Sequence, residues 1–316
     1  MLVGRLAPSP TGAQHVGNAR TYLITWLSVR SRGGQIRLRI EDIDSPRTKK
    51  GATEQIFEDF RWLGLDWDGE PVVQTQRRQL YNAALETLKT TEHIYPCTCS
   101  RKDVEEAASA PHAGHEGPVY PGTCANRMSA DAYTLDKPYS WRFRLGEDPI
   151  IRFTDGYRGQ VSIRWEDFGG DFVIWKNDGT PAYQLAVVVD DADMAITEAI
   201  RGDDLIPSTP RQLMLYRTLG LTPPTFVHVP LVIGTDGRRL AKRHGDTRLS
   251  SLREAGVMSE ALLGLLAWSC GWLPRIQEIS APELLPLFQL ASIPREPFVL
   301  EPMLLEQIGY DVKSPR

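Results

Sequence analysis

The residues of this chain most capable of chemistry fall in three clusters. The first is Pro8-Ser9-Pro10-Thr11-Gly12, followed closely by His15-Val16-Gly17-Asn18. A Pro/Gly loop that opens a helix presents unpaired backbone N–H groups, which attract anions and phosphate above all. Gly12 and Gly17 would let such a ligand approach the backbone, and His15 adds a side-chain donor. The second is Arg238-Arg239-Leu240-Ala241-Lys242-Arg243-His244-Gly245, behind the turn signal Asp236-Gly237. Its cations suit a polyphosphate clamp, with Lys242 as a point charge on phosphate oxygens. The third is Cys97-Thr98-Cys99 with Tyr120-Pro121-Gly122-Thr123-Cys124 downstream. Two thiols one residue apart and a third farther on suit a tetrahedral zinc ion held by thiolates. Spacing leaves the fourth ligand open; on bare chemistry His112 and His115 are better donors than Tyr120. Taken singly, each cluster has a plainer reading: a surface loop, a solvated basic segment, three free thiols.

These clusters need elements to position them. Residues 2–7 read as a short buried strand, stopped by the proline-rich loop. A helix is expected from Asn18, with Tyr22, Trp26 and Val29 at i, i+4 and i+7, ended by Gly33-Gly34. Ile36, Leu38 and Ile40 alternate with Arg37, Arg39 and Glu41, the pattern of a half-exposed strand. The result is the opening βαβ unit of an α/β fold. Ser45-Pro46 then starts a helix carrying Ile56, Phe60 and Leu63, and another carries Leu80, Ala84 and Leu88. Residues 95–178 hold three of the four cysteines and many Gly and Pro, and read as an inserted small domain. The α/β pattern resumes with the apolar run 183–189, closed by Asp190-Asp191. A further strand at 195–200 ends at Arg201-Gly202-Asp203-Asp204, and Ser208 caps a helix through Leu213, Tyr216 and Leu219. Residues 227–233 form a strand, and the chain from Arg248 is mostly helical. The expected boundaries are 1–94 and 179–246 for two halves of a catalytic domain, 95–178 for the insert, and 247–316 for the helical region.

Composition narrows the class. The chain has 316 residues, 36 basic and 40 acidic, for a net charge of −4. That mild acidity argues against a generic basic nucleic-acid coat but allows a local groove. Four cysteines are too few for a disulfide scaffold, which favours a reducing compartment. The N-terminus has no basic-then-apolar leader pattern. The most apolar run, 261–270, is shorter than the roughly 18 residues of a membrane span and reads as a buried helix. The expectation is a cytoplasmic protein with no membrane partner.

In combination the clusters resemble the paired signatures of class I aminoacyl-tRNA synthetases, and more narrowly their glutamyl branch. Arg5-Leu6-Ala7-Pro8-Ser9-Pro10-Thr11-Gly12 with His15-Val16-Gly17-Asn18 resembles that branch's opening. Glu41-Asp42-Ile43-Asp44, the run 183–191, Ile200-Arg201-Gly202-Asp203-Asp204 and Leu240-Ala241-Lys242-Arg243-His244-Gly245 resemble its later blocks, in order over residues 2–246. The resemblance implies an α/β fold: a Rossmann-like catalytic domain with an inserted zinc-binding domain and a short helical C-terminal region. It implies a ligase that uses ATP with Mg²⁺ and L-glutamate. On it, Arg5 takes the glutamate side-chain carboxylate, Glu41 the α-ammonium, and Ala7, Ser9, Tyr183 and Arg201 complete the pocket. His15, Gly17, Asn18 and Lys242 serve ATP, with His15 and Lys242 catalytic. It also selects Cys97, Cys99, Tyr120 and Cys124 as the ligands of one structural Zn²⁺. One departure stands in the Lys loop, where Ala241 replaces the usual Ser.

Only residues 247–316 follow that loop, room for a few helices but not for an anticodon-reading module. This resembles the truncated paralogues of the branch, which activate glutamate without tRNA and esterify it onto queuosine in the anticodon of tRNA(Asp). The alternatives are a short synthetase charging tRNA(Glu) and a non-catalytic tRNA-binding paralogue. Arg47, Lys49, Lys50 and the Arg238–Arg243 loop are candidate RNA contacts.

Overall fold

A computed structural model describes residues 1–43, 48–107, 119–146, 148–240 and 247–311. The chain opens as β1 (Val3–Leu6), α1 (Val16–Arg30), β2 (Gln35–Ile40), α2 (Ala52–Trp62), β3 (Val72–Val73) and α3 (Arg78–Lys89). β1, β2 and β3 form a parallel sheet in that order, with Arg5 opposite Arg37. The βαβ reading of this segment therefore holds. The half-exposed reading of β2 holds at Arg37, which is partly exposed, and fails at Arg39, which is fully buried beside its apolar neighbours. The Ser45-Pro46 helix start lies outside the described residues, and α2 begins at Ala52, after Gly51. α3 buries Tyr81, Leu85 and Leu88 and leaves Leu80 exposed, one residue out of the expected phase.

The middle of the chain gives β4 (Ile94–Cys97), α4 (Arg101–Ala107), β5 (Ser140–Phe143), β6 (Ile150–Asp155), β7 (Gly159–Arg164) and β8 (Phe172–Trp175). β4, β5 and β8 form an antiparallel sheet, and β6 and β7 a hairpin. Then come α5 (Tyr183–Asp193), β9 (Glu198–Gly202), α6 (Ser208–Thr218), β10 (Thr225–Val229) and β11 (Val232–Ile233). The apolar run 183–189 is thus the core of a helix. Such a run does not distinguish a buried helix from a buried strand. β9 and β10 are parallel. Thr197 N–H donates to the Val3 carbonyl (2.8 Å) and Val3 N–H to Thr197 Oγ1 (2.9 Å), which sets this pair beside β1. Pro230 divides the expected 227–233 strand into β10 and β11, since proline has no N–H for a ladder.

The last part holds α7 (Leu249–Glu254), α8 (Ser259–Ser269), α9 (Ala281–Leu284), β12 (Phe298–Val299) and α10 (Pro302–Gln307). It is less purely helical than expected, because β12 pairs with β11 in parallel. α8 is apolar on every side and buried, as read from the sequence. Among the described residues no helix is long and apolar enough to cross a membrane.

Among the described residues two large apolar cores form, beside a small cluster of Tyr95, Cys97, Val104, Tyr120 and Cys124. One joins β1, α1, β2 and α2 to the C-terminal helices. The other joins α3, β4, β5 and β8 to α5 and α6. Arg20 crosslinks the first: it is 1% exposed, and donates to the Pro230 carbonyl (2.8 Å) and to Ser269 Oγ (3.0 Å). α1 is thereby fixed between the sheet and α8, and the loop before it is held in place.

Candidate active site

A cavity of about 260 Å³ opens where the C-terminal ends of β1 and β9 meet the start of α1. Parallel α/β sheets place ligand sites at such strand ends. Arg5, Ala7, His15, Gly17, Asn18, Glu41, Tyr183 and Arg201 all line it. Residues nearly two hundred positions apart therefore meet in one space.

His15 is the N-cap of α1. Its Nδ1 accepts from the N–H groups of Gly17 (3.1 Å) and Asn18 (3.4 Å), and Asn18 Oδ1 accepts from His15 N–H (3.1 Å). This reciprocal cap fixes the tautomer, because Nδ1 is an acceptor and the proton must sit on Nε2. Burial, and then the charge of Arg239, hold the imidazole down to about pKa 4. At neutral pH the ring is an uncharged N–H donor. A Cβ at Gly17 would press on the His15 ring at 3.0 Å and on Val232 at 3.4 Å. Glycine at 17 thus makes room for the ring. The Gly17 N–H is already donated to His15, so the expected direct use of that N–H on phosphate meets a committed group.

The far wall is a set of paired charges. Arg5 is 6% exposed; its Nη1 donates to the Ile200 carbonyl (3.0 Å), and its Nε lies 3.6 Å from Asp191. Arg39 lies behind it, donating to Asp191 (2.5 Å) and to Glu41 Oε1 (2.9 Å). Burial raises the Glu41 carboxyl, and Arg39 opposes that rise. Asp191 is held down despite its burial by Arg39 and then Arg5. Asp190 next to it turns the other way, to Arg77 (2.6 Å), Tyr81 (3.0 Å) and Gln74 (2.8 Å).

Arg201 is 4% exposed and held through all three nitrogens: Nε to His228 Nε2 (2.9 Å), Nη1 to Gln212 (2.8 Å), Nη2 to Thr209 (2.8 Å). Tyr183, the first residue of α5, stands half-exposed at the rim. Ser9 is the one expected pocket residue absent from the lining. Its hydroxyl donates to the Glu41 carbonyl (3.1 Å), so it braces the Glu41 backbone. Lys242 and Ala241 lie outside the described residues. The residues flanking that segment both reach the site: Leu240 lines the cavity, and the Thr247 carbonyl accepts from Val16 N–H (3.0 Å). Arg239, read as part of a polyphosphate clamp, pairs with Asp204 (2.7 Å).

Sequence reading missed Arg39, Asp155, Asp191, Thr209, Gln212 and His228. The available signal was an ionisable residue inside an otherwise apolar strand or helix, as at His228 and Asp191. A buried charge must be paired, so each such residue points to a partner.

Away from the cavity, Cys97, Cys99 and Cys124 place their Sγ atoms within 4.8 Å of one another. Cys99 and Cys124 Sγ are 3.6 Å apart. Tetrahedral thiolates on zinc, with Zn–S near about 2.3 Å, stand about 3.8 Å apart, so the spacing fits a metal. Tyr120 Oη is 3.4 Å from Cys97 Sγ and 3.9 Å from Cys99 Sγ, and accepts from Cys124 N–H (2.9 Å). His112 and His115 lie outside the described residues. Arg142 donates to Cys97 Sγ (3.3 Å) and lies 3.9 Å over the Tyr120 ring. Burial works against ionising Cys124, but hydrogen bonds from the Thr98 backbone and its neighbours hold its thiol down to about 7. This cluster can hold a metal ion.

The chain is similar to known proteins. Residues 1–283 match the family described as tRNA synthetases class I (E and Q), catalytic domain. The chain is 50% identical to the glutamyl-Q tRNA(Asp) synthetase of Rhodopirellula baltica, over 95% of this chain and 96% of that one. It is 47% identical to the protein of that name from Symbiobacterium thermophilum, over 94% and 95%. The glutamate–tRNA ligase of Geobacter sulfurreducens is 40% identical over 94% of this chain, which spans 63% of that protein. Among solved structures, the glutamate-tRNA synthetase of Elizabethkingia anophelis superposes with a TM-score of 0.82 at 28% identity, over 97% of this chain and 69% of that one. With its cavity built at the strand ends of a parallel sheet and a family match over most of its length, this chain belongs to the class I tRNA synthetases of the E and Q group, and it is a ligase.

Proposed function

We propose that the protein activates L-glutamate with ATP and transfers the glutamyl group to queuosine in the anticodon of tRNA(Asp). The observation that carries this reading is the near end-to-end likeness to proteins named glutamyl-Q tRNA(Asp) synthetase. The cavity's charges support it. A dicarboxylic amino acid needs two cationic partners and one anionic partner, and Arg5, Arg201 and Glu41 face one space.

In the first step a carboxylate oxygen of glutamate attacks the α-phosphorus of ATP, and pyrophosphate leaves with the electrons of the broken P–O bond. No protein nucleophile is needed, so the protein positions the reactants and stabilises phosphate charge. Arg5 takes the side-chain carboxylate and Glu41 the α-ammonium, with Ala7, Tyr183 and Arg201 closing the pocket. Ser9 acts by holding the Glu41 backbone. His15 offers its Nε2–H to the nucleotide phosphates, Gly17 and Asn18 keep that ring in place, and Lys242 holds the departing pyrophosphate. Mg²⁺ accompanying ATP would neutralise phosphate charge. Zn²⁺ on Cys97, Cys99, Cys124 and Tyr120 would fix the fold of the segment around them. Residues 95–178 form the insert between two catalytic halves, 1–94 and 179–246, and 247–316 the C-terminal region. The setting is the cytoplasm.

The test has two parts. Glutamate-dependent ATP–pyrophosphate exchange is expected without tRNA. Labelled glutamate is then offered to tRNA(Asp) with and without queuosine, and to tRNA(Glu). Label confined to queuosine-bearing tRNA(Asp) is expected; label on tRNA(Glu) alone would overturn the reading in favour of a short glutamyl-tRNA synthetase.

A further inference from the structure

We propose that Asp155 and His228 form a positioning pair that presents Arg201 to the glutamate substrate, so that the β6–β7 hairpin sets the affinity of the pocket. The inference rests on the reading of Arg201 as a substrate contact.

Three fully buried side chains stand in line. Asp155 Oδ2 lies 2.6 Å from His228 Nδ1, and His228 Nε2 lies 2.9 Å from Arg201 Nε. An arginine Nε–H can only donate, so His228 Nε2 must be the acceptor, and the ring's proton sits on Nδ1, facing Asp155. Asp155 enforces that tautomer, and its Oδ1 is held in turn by the N–H groups of Tyr157 (2.9 Å) and Arg158 (2.7 Å). His228 N–H also contacts both Asp155 oxygens at 3.2 Å. A carboxylate–imidazole pair of this form usually orients a metal ligand or a catalytic base. Here it orients a cation. Burial, the largest influence, holds the imidazole below its ordinary pKa, in keeping with a neutral acceptor. Nη1 and Nη2 each give one N–H to Gln212 and Thr209, which fixes the guanidinium in one orientation and leaves one N–H on each for the substrate carboxylate.

The hairpin is also anchored elsewhere. Tyr157 Oη donates to the Ile293 carbonyl (2.8 Å), and Arg158 pairs with Asp203 (2.5 Å). Asp155 therefore carries the position of the hairpin and the C-terminal region into the pocket. Arg201 fixes only one end of the substrate. Its misorientation should weaken glutamate binding and leave ATP binding alone.

The experiment is steady-state ATP–pyrophosphate exchange with the full chain, varying glutamate and ATP separately. His228→Ala should raise the KM for glutamate about tenfold to a hundredfold, the effect of losing an ordered hydrogen bond to a charged group. The KM for ATP should move less than about twofold, because no nucleotide contact is touched. His228→Gln keeps an acceptor near the Nε2 position and should recover most of the loss. Asp155→Ala should resemble His228→Ala. If His228→Ala does not fold, the Gln variant carries the test through its glutamate KM and its pairing with Asp155→Asn. Equal losses for glutamate and ATP, or Gln no better than Ala, would overturn the positioning role. Arg201→Lys separates the two layers. If it leaves the glutamate KM unchanged, the substrate role of Arg201 fails and the pair falls with it. If it raises that KM while both His228 variants do not, only the pair fails.

Discussion

His15 has two separable duties, and substitutions can pull them apart. Its Nδ1 caps α1, while its ring, with the proton on Nε2, lines the cavity. His15→Asn should preserve the cap, since Asn is among the best N-cap residues, but its short side chain cannot present a donor where Nε2 stands. His15→Ala removes both. Loss of a cap costs about 1 kcal/mol, which in a chain of this size lowers Tm by about 2 °C. Loss of a donor aimed at developing phosphate charge costs about a hundredfold to a thousandfold in rate. The assays are thermal unfolding and single-turnover glutamyl-adenylate formation. His15→Ala should fail in both, and His15→Asn in the second only. If His15→Asn keeps its rate within about threefold, His15 is a cap and nothing more. The pH behaviour gives an independent check. Because the folded pKa is about 4 against an ordinary 6.5, the unfolded chain binds more protons in that window. Stability from this group is therefore full above about 6.5 and is lost as the pH falls toward 4. That part of the slope should vanish in His15→Asn, and an unchanged slope would show that the ring is not held neutral.

Three further outcomes follow from the packing. Asp191→Ala takes the nearest carboxylate from the buried Arg39, which keeps Glu41 (2.9 Å) and Asp190 (3.7 Å), and removes the carboxylate beside Arg5 (3.6 Å). It should destabilise the fold by about 3–5 kcal/mol in urea unfolding; a loss under about 1 kcal/mol would show the cluster to be expendable. Gly264→Ala puts a Cβ 1.8 Å from the Gln277 carbonyl oxygen, a backbone atom that cannot swing aside. It should lower the unfolding midpoint by the equivalent of about 1–3 kcal/mol or more, while Gly256→Ala, with open space but a positive φ, should cost less. Cys97→Ser should abolish bound metal as read by elemental analysis, and Cys270→Ser, at a buried core thiol, should leave it intact; a wild-type protein that is metal-free and equally stable would remove the metal from the site.

Much of this protein is legible in its sequence, for identifiable reasons. The loop before α1 is written locally, by Pro8, Pro10 and Gly12 and by the capping pair His15 and Asn18. The thiol cluster is likewise readable, because Cys97-Thr98-Cys99 and Cys124 are rare residues at a telling spacing, and the structure brings all three together. The apolar helix at 261–270 follows from composition alone.

Other features are decided only by tertiary structure. The run 183–189 is apolar enough for either element, and it becomes helix α5 because it packs against α3, α6 and β8. Arg39 looks like the outward residue of an alternating strand, yet it is buried because Asp191, 152 positions later, arrives to neutralise it. Ser9 looks like a pocket hydroxyl, and is spent on the Glu41 backbone. Residue types and local spacing encode what short-range hydrogen bonding and periodicity can satisfy. A buried charge is tolerable only beside its partner, and where that partner lies is a property of the folded chain.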